Sequence, residues 1–239
     1  MNTIKIEKRN TLMVAHRGLS RIECENTSSA FVAAGTRSYY GIDCDIYRTA
    51  DGRFVIHHDA SLKRLSDMDM RVEEHTLAEL QSIVLFDKDG TKDRLDLRPA
   101  TLENYLNICK KYEKHCVIEL KSNFTEEEIA RIIDVVNSFE YMSEVTFISF
   151  WYDNLTKVRA ILPDQSVQFL FCEFTDEIIE KVIADRFDID VQFRALNQEI
   201  VDMLHANGLK VNCWTVDDKY CAEQLTAMGV DFITTNILE

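Results

Sequence analysis

Asp43 and Asp45, one residue apart, carry the first chemical signal in this chain. In a strand, residues i and i+2 face the same side. The two carboxylates therefore project together while Ile42, Cys44 and Ile46 take the other face. Like charges about 4 Å apart repel by roughly 4 kcal/mol at an effective dielectric near 20, so such a pair calls for solvent or a cation. His16-Arg17-Gly18, Glu25-Asn26-Thr27 and His58-Asp59 lie within about fifty residues of one another around this pair. The Asp51-Gly52 turn favours a hairpin that brings residues 54–58 back beside the acidic strand. Glu119 and Lys121 repeat the i, i+2 spacing farther on, and Ser149 and Trp214 stand near the ends of later apolar runs. Asp43, Asp45 and Glu119 together offer only oxygen donors, which suits one hard divalent cation, Mg²⁺ or Ca²⁺, better than zinc or copper. Arg17 and Lys121 supply positive charge for an anionic substrate. His57 and His58 point to opposite faces, so at most one of them shares a site with His16.

These residues need a scaffold that gathers strand ends. Apolar runs at 12–16, 42–47, 116–120, 145–149, 167–171, 189–193, 209–214 and 232–234 give eight strand candidates. Amphipathic stretches at 27–34, 102–111, 126–139, 152–162, 177–185, 198–206 and 218–228 fall between most of them. Thr125 with Glu128 makes a capping box, and Ile129, Ile132, Ile133 and Val136 mark the apolar face behind it. Asn207-Gly208 and Met228-Gly229 supply glycine stops, each followed at once by a strand. Alternating strand and helix predict a parallel sheet, and eight repeats predict an α/β fold closed as a (β/α)8 TIM barrel, with functional groups at the C-terminal strand ends. An open doubly wound sheet is disfavoured, since no G-x-G-x-x-G follows the first strand. Residues 62–100 break the alternation with a polar stretch and one helix start at 76–79. This is a small insertion after the second strand, within a single domain of 1–239. The chain stops at Glu239, so an eighth helix is absent or very short.

Composition narrows the function classes. Lys and Arg number 27 against 41 Asp and Glu, a net charge of −14. That disfavours reading a nucleic-acid backbone or anchoring to a membrane through basic residues. The seven cysteines contain no C-x-x-C, which fits reduced and mostly buried thiols. The charged N-terminus lacks the apolar run of a signal peptide, and no segment approaches the ~20 apolar residues of a membrane span. A cytoplasmic location follows as the expectation. His75, His115 and His205 have no polar company at a strand end and are assigned to surface or packing roles.

Together the motifs resemble those of the glycerophosphodiester phosphodiesterase family over nearly the whole chain. His-Arg-Gly stands at His16-Arg17-Gly18, Glu-Asn-Thr at Glu25-Asn26-Thr27, and Glu-x-Lys at Glu119-Leu120-Lys121. His-Asp stands at His58-Asp59, which selects His58 over His57, and Trp-Thr-Val at Trp214-Thr215-Val216. The resemblance implies hydrolysis of a small-molecule glycerophosphodiester to glycerol 3-phosphate and an alcohol. It implies one divalent cation, Mg²⁺ or Ca²⁺, on Asp43, Asp45 and Glu119, with His16 and His58 as the acid–base pair. Arg17 and Lys121 would bind the phosphoryl group, Trp214 would pack on glycerol carbons, and Glu25 would orient Arg17 or a histidine. Two other readings keep the fold: a lysophospholipase D-like or cyclic-phosphate-forming enzyme, and a non-catalytic phosphodiester-binding barrel. Three departures from the family pattern stand out. Asp43 replaces a glutamate and reaches one methylene less far; Cys24 replaces a proline and loosens its loop; and Thr235-Asn236 replaces Thr-Asp, which is expected to matter little.

Overall fold

Strands buried on both faces read as near-continuous apolar runs, and here they close into a barrel. The computed structural model describes residues 2–239. Its strands are β1 (Leu12–Ala15), β2 (Gly41–Arg48), β3 (Phe54–Ile56), β4 (Ala100–Thr101), β5 (His115–Leu120), β6 (Val145–Ser149), β7 (Val167–Phe171), β8 (Asp188–Gln192), β9 (Val211–Trp214) and β10 (Phe232–Thr235). Eight of them run parallel in the order β1-β10-β9-β8-β7-β6-β5-β2, and a β1–β2 pairing completes the ring. They are the eight foreseen from sequence. The Asp-Gly hairpin forms as well, with Arg48 opposite Phe54 in the antiparallel β2–β3 pair. The short β4, which the sequence did not reveal, pairs antiparallel with β3.

The helices are α1 (Ser28–Gly35), α2 (Lys63–Ser66), α3 (Leu77–Ser82), α4 (Leu102–Lys111), α5 (Glu126–Ser138), α6 (Tyr152–Ile161), α7 (Asp176–Asp185), α8 (Gln198–Ala206) and α9 (Lys219–Met228). The capping box expected at Thr125 with Glu128 forms, as do boxes at the 76–79 helix start and at Thr101 with Asn104. On α5, Ile129, Ile132, Ile133 and Val136 are buried against the barrel. No helix follows β10. No helix among the described residues is long and apolar enough to cross a membrane. The main core lies between strands and helices and includes Ile42, Cys44 and Ile46, the outward face of the acidic strand. A smaller cluster of Val14, Val117, Ile148 and Leu170 fills the barrel interior below the mouth.

The insertion holds more structure than one helix start. It contains α2, a 3₁₀ turn at Val72–Glu74 and α3, packed through Leu62, Val72, Leu77 and Leu80 against Val55 of β3. Cys24, expected to loosen its loop, is instead buried against Leu85 and Leu97 of this segment. The thiol fills a gap between loop and insertion, so packing replaces the ring constraint that a proline would give.

One glycine secures the first βα loop. Gly18 has φ +78°, and a Cβ there would lie 2.6 Å from the Ala30 carbonyl carbon of α1. Neither the backbone conformation nor the space admits a side chain. Gly18→Ala is therefore expected to destabilise the fold by about 2 kcal/mol or more, lowering the melting temperature by roughly 4–8 °C, as measured by circular dichroism.

Candidate active site

The loop after β1 turns sharply, and it does so on residues that resist the turn. Arg17 and Asn26 both have positive φ, 57° and 58°, a region uncommon outside glycine. Each is held there by an acid of β2. The Arg17 backbone N–H donates to Asp43 Oδ2 at 3.1 Å, and Asn26 Nδ2 donates to Asp45 Oδ2 at 2.7 Å. Asn26 N–H also donates to the Arg17 carbonyl at 3.0 Å, closing the loop on itself. Asp43 and Asp45 thus position the loop before they do any chemistry.

The same carboxylates sit in a dense charge cluster. Asp43, Asp45 and Glu119 are 3%, 1% and 9% exposed, far from solvated loop acids. Lys121 Nζ lies 2.8 Å from Glu119 Oε1 and 3.4 Å from Asp45 Oδ1. Arg17 Nε lies 3.3 Å from Asp45 Oδ2, an ion pair without hydrogen-bond alignment. Burial disfavours charge on Asp45, but Lys121 and Arg17 outweigh it and hold this carboxyl below its usual range. For Asp43 the charges of Arg17 and Lys121 and the Arg17 N–H bond offset only part of the penalty. Burial, then the charge of Asp45, pushes it up to about 7, and its Oδ1 is enclosed without a partner. Glu119 is raised for the same two reasons. Among the described residues, no three His, Cys, Asp or Glu side chains stand arranged to hold a metal ion. The Lys121 ammonium occupies the place between Asp45 and Glu119 instead. The donor chemistry nonetheless fits a hard cation: three acids, all oxygen, one oxygen orphaned, and two carboxyls that resist ionising together.

Both imidazoles face the cluster, each fixed through Nδ1. His58 Nδ1 lies 2.7 Å from Asp59 Oδ1, and Arg64 Nε donates to Asp59 Oδ2 at 2.5 Å. His16 Nδ1 lies 2.8 Å from Asn236 Oδ1. The orientation of that amide is set from behind: Asn236 Nδ2 donates to Asp217 Oδ2 at 2.7 Å, and Ser20 Oγ donates to Asn236 Oδ1 at 2.6 Å. An amide whose nitrogen faces a carboxylate must turn its oxygen toward His16. His16 Nδ1 therefore carries the proton and Nε2 carries the free lone pair. Asn236, which the sequence reading dismissed, is the residue that fixes this tautomer. His57 is buried elsewhere with its Nε2 near the Ser61 carbonyl.

The site opens as a cavity of about 150 Å³. His16, Arg17, Asp43, His58, Glu119 and Lys121 form its polar wall. Ile148, Leu170, Phe150 and Trp214 form an apolar one, with Phe150 and Trp214 edge to face at 5.8 Å. Asp45 lies beneath Lys121 and Arg17 and does not line the cavity. Glu25 lies outside it too, but accepts from Arg17 Nη1 at 2.8 Å and from Arg64 Nη2 at 2.7 Å. Burial opposes its charge, yet Arg64 and Arg17 hold its carboxyl down to about 2. Of the partners expected for it, Arg17 or a histidine, it contacts Arg17. Asn26 and Asp59 stood in the quoted motifs without an assigned role, while Arg64, Asp217 and Asp190 were not singled out. Of these three, only Asp190 carried a readable signal, an acid between the apolar residues Ile189 and Val191.

Comparison with known proteins gives a consistent result. The family model described as "Glycerophosphoryl diester phosphodiesterase family" matches residues 16–239. A glycerophosphodiester phosphodiesterase from Caldanaerobacter subterraneus subsp. tengcongensis is 28% identical, covering 95% of this chain and 94% of that one. One from Bacillus subtilis is 27% identical over 94% of this chain and 83% of its own length. Among solved structures, a glycerophosphodiester phosphodiesterase from Parabacteroides distasonis superposes with a TM-score of 0.80 at 27% identity, covering 95% and 93% of the two chains. An Oleispira antarctica phosphodiesterase, solved with its product sn-glycerol 3-phosphate, gives 0.88 at 24% identity, covering 97% and 95%.

The His16 geometry makes a direct prediction. Burial, then the charge of Arg17, lowers its pKa from 6.5 to about 4, so the ring is neutral through the physiological range. Long-range ¹H–¹⁵N spectra at pH 7 should show a protonated Nδ1 and a bare Nε2. Because the unfolded chain takes up this proton near 6.5, the contribution of His16 to stability is full above that pH and is lost as pH falls toward 4. Asn236→Leu should mix the tautomers; an Nε2–H form in the unaltered protein would refute the assignment.

Proposed function

The chain belongs to the glycerophosphoryl diester phosphodiesterase family, and on that premise we propose that it hydrolyses a glycerophosphodiester to glycerol 3-phosphate and a free alcohol. The observation that carries this reading is the convergence of two Nδ1-held imidazoles, His16 and His58, on one cavity with the cations Arg17 and Lys121. Arg17 and Lys121 bind the phosphoryl oxygens and meet the charge that builds on them in the transition state. His16, neutral with Nε2 free, takes the proton from the nucleophile, which is water or the substrate's own 2-hydroxyl; the hydroxyl route gives a cyclic phosphate, which a water then opens to glycerol 3-phosphate. A new P–O bond forms there as the bond to the leaving alcohol breaks. His58 delivers the proton to the departing alkoxide. The roles divide by partner. Burial, aided by Lys121 and Arg17, lowers the His58 pKa, but the charge of Asp45 and the hydrogen bond to Asp59 limit the fall, whereas His16 leans on a neutral amide and drops to about 4. His58 is the easier ring to hold protonated. Trp214 and Phe150 pack on carbon atoms of the bound diester.

Asp43, Asp45 and Glu119 are the residues proposed to hold one Mg²⁺ or Ca²⁺. When bound, such an ion supplies Lewis-acid polarisation of a phosphoryl oxygen. A bound cation would offset the repulsion that keeps Asp43 and Glu119 from ionising beside Asp45. Lys121, which pairs with both Asp45 and Glu119, would then be free to bind the phosphate.

Two measurements test this reading. Glycerol 3-phosphate release from glycerophosphocholine or glycerophosphoethanolamine, with Mg²⁺ or Ca²⁺ present, should fall about 10²–10⁴-fold in His16→Ala and in His58→Ala. A p-nitrophenyl leaving group, which needs no proton, should restore most of the loss in His58→Ala but not in His16→Ala. Release of no glycerol 3-phosphate by the unaltered protein would reject the activity. Separately, an ion at about a hundred times its Kd should stabilise the fold by about 2.7 kcal/mol, or roughly 5–10 °C. Asp45→Asn should abolish that shift, and a chelator should reverse it together with turnover.

A further inference from the structure

β8 contributes an acid that the mechanism above leaves unused. Asp190 lies at mid-strand, opposite Leu170 of β7 and Asn212 of β9. It is 2% exposed and lines the same cavity as the two imidazoles. Its backbone carbonyl accepts the Trp214 indole N–H at 3.2 Å, but its side chain makes no hydrogen bond, and Oδ1 is enclosed without a partner. The polar groups nearby are already matched to one another. Asn212 Nδ2 donates to Gln168 Oε1 at 3.0 Å, and Thr234 Oγ1 donates to Asn212 Oδ1 at 3.2 Å. A buried carboxyl with no protein partner is costly to leave unmatched, so this one awaits a partner from the cavity.

The surroundings define that partner. Ile148 and Leu170 make the adjacent wall apolar. Among the described residues, the one charge bearing on Asp190 is that of Asp43, and burial followed by Asp43 drives its carboxyl well above the usual range. A neutral carboxyl both donates and accepts a hydrogen bond. It offers little to an ammonium, which wants a full counter-charge, and it brings no positive charge for a phosphate. A hydroxyl on a short carbon chain suits both the acid and the apolar wall. We propose that Asp190 is a specificity-determining residue whose carboxyl hydrogen-bonds a hydroxyl of the glycerol moiety, selecting a polyol phosphate over an alkyl phosphate. This deepens the reading of the cavity as a glycerophosphodiester site and rests on it.

Calorimetric titration of the full chain with sn-glycerol 3-phosphate and with n-propyl phosphate tests it. The unaltered protein should prefer glycerol 3-phosphate by about 10–100-fold, because a buried polar group left unpaired penalises the ligand lacking the hydroxyl. In Asp190→Leu that preference should collapse to within about threefold, and Asp190→Asn, which keeps a donor and an acceptor, should restore most of it. The unaltered protein alone refutes the proposal if it binds both ligands equally, whatever the folding of the variants. A preference that survives in Asp190→Leu, or an equal loss for both ligands, also overturns it, and so does an Asp190 dependence seen for phosphocholine and not for glycerol 3-phosphate. Asp190-dependent glycerol 3-phosphate binding in a protein that cleaves no diester would sustain this inference while ending the hydrolase reading.

Discussion

The constraint on which the rest depends is the burial of Asp43, Asp45 and Glu119 inside a closed ring of strands, with Arg17 and Lys121 beside them as cations. Removing ions from water is expensive unless they are paired and hydrogen-bonded. Asp45 is the most fully compensated of the three, and it alone is held below its ordinary range. The other two are left wanting a cation, and that shortage gives the mouth of the barrel its chemical direction. A barrel suits this task because its interior residues stand on strands hydrogen-bonded on both sides. None of the acids can move outward to relieve the repulsion.

The shortage of positive charge also explains why the loop after β1 has its shape. Arg17 and Asn26 adopt a backbone conformation that costs of order 1–3 kcal/mol each. Both meet the β2 acids with hydrogen bonds made in that conformation: Arg17 through its main-chain N–H and Asn26 through its amide. Charge-assisted bonds of this kind are roughly twice as strong as neutral ones, enough to hold two such residues. The insertion contributes from the other side. Arg64 of α2 bonds both Glu25 and Asp59, linking the partner of Arg17 to the partner of His58. A segment that reads as polar filler thereby ties the two halves of the polar wall together.

Fold and site were unequally legible. The barrel showed plainly because parallel strands and amphipathic helices have different periods, and the 145–149, 167–171, 102–111 and 198–206 segments match the structure end to end. The acids and imidazoles of the polar wall were legible through i, i+2 parity and the resemblance. Partners distant in sequence were not. His16 and Asn236 are 220 residues apart, and only ring closure through β1 and β10 makes them neighbours. β4 was hidden because two residues leave no periodicity to read. Asn236 was misjudged because an amide looked like a conservative stand-in for a carboxylate. Its hydrogen-bond shape is conservative, but its charge is not.

That difference gives the site its asymmetry. Each imidazole donates through Nδ1, yet one faces a neutral amide and the other a carboxylate reinforced by Arg64. Two rings with equivalent partners would compete for the same proton, and neither would be committed to giving or taking it. With Asn236 behind one and Asp59 behind the other, burial disfavours the protonated state at both rings, but less at His58 than at His16. A general acid and a general base need this separation of affinities within a single cavity. The substitution at position 236 does not weaken that separation. It removes from the His16 side the negative charge that would have made the two rings alike.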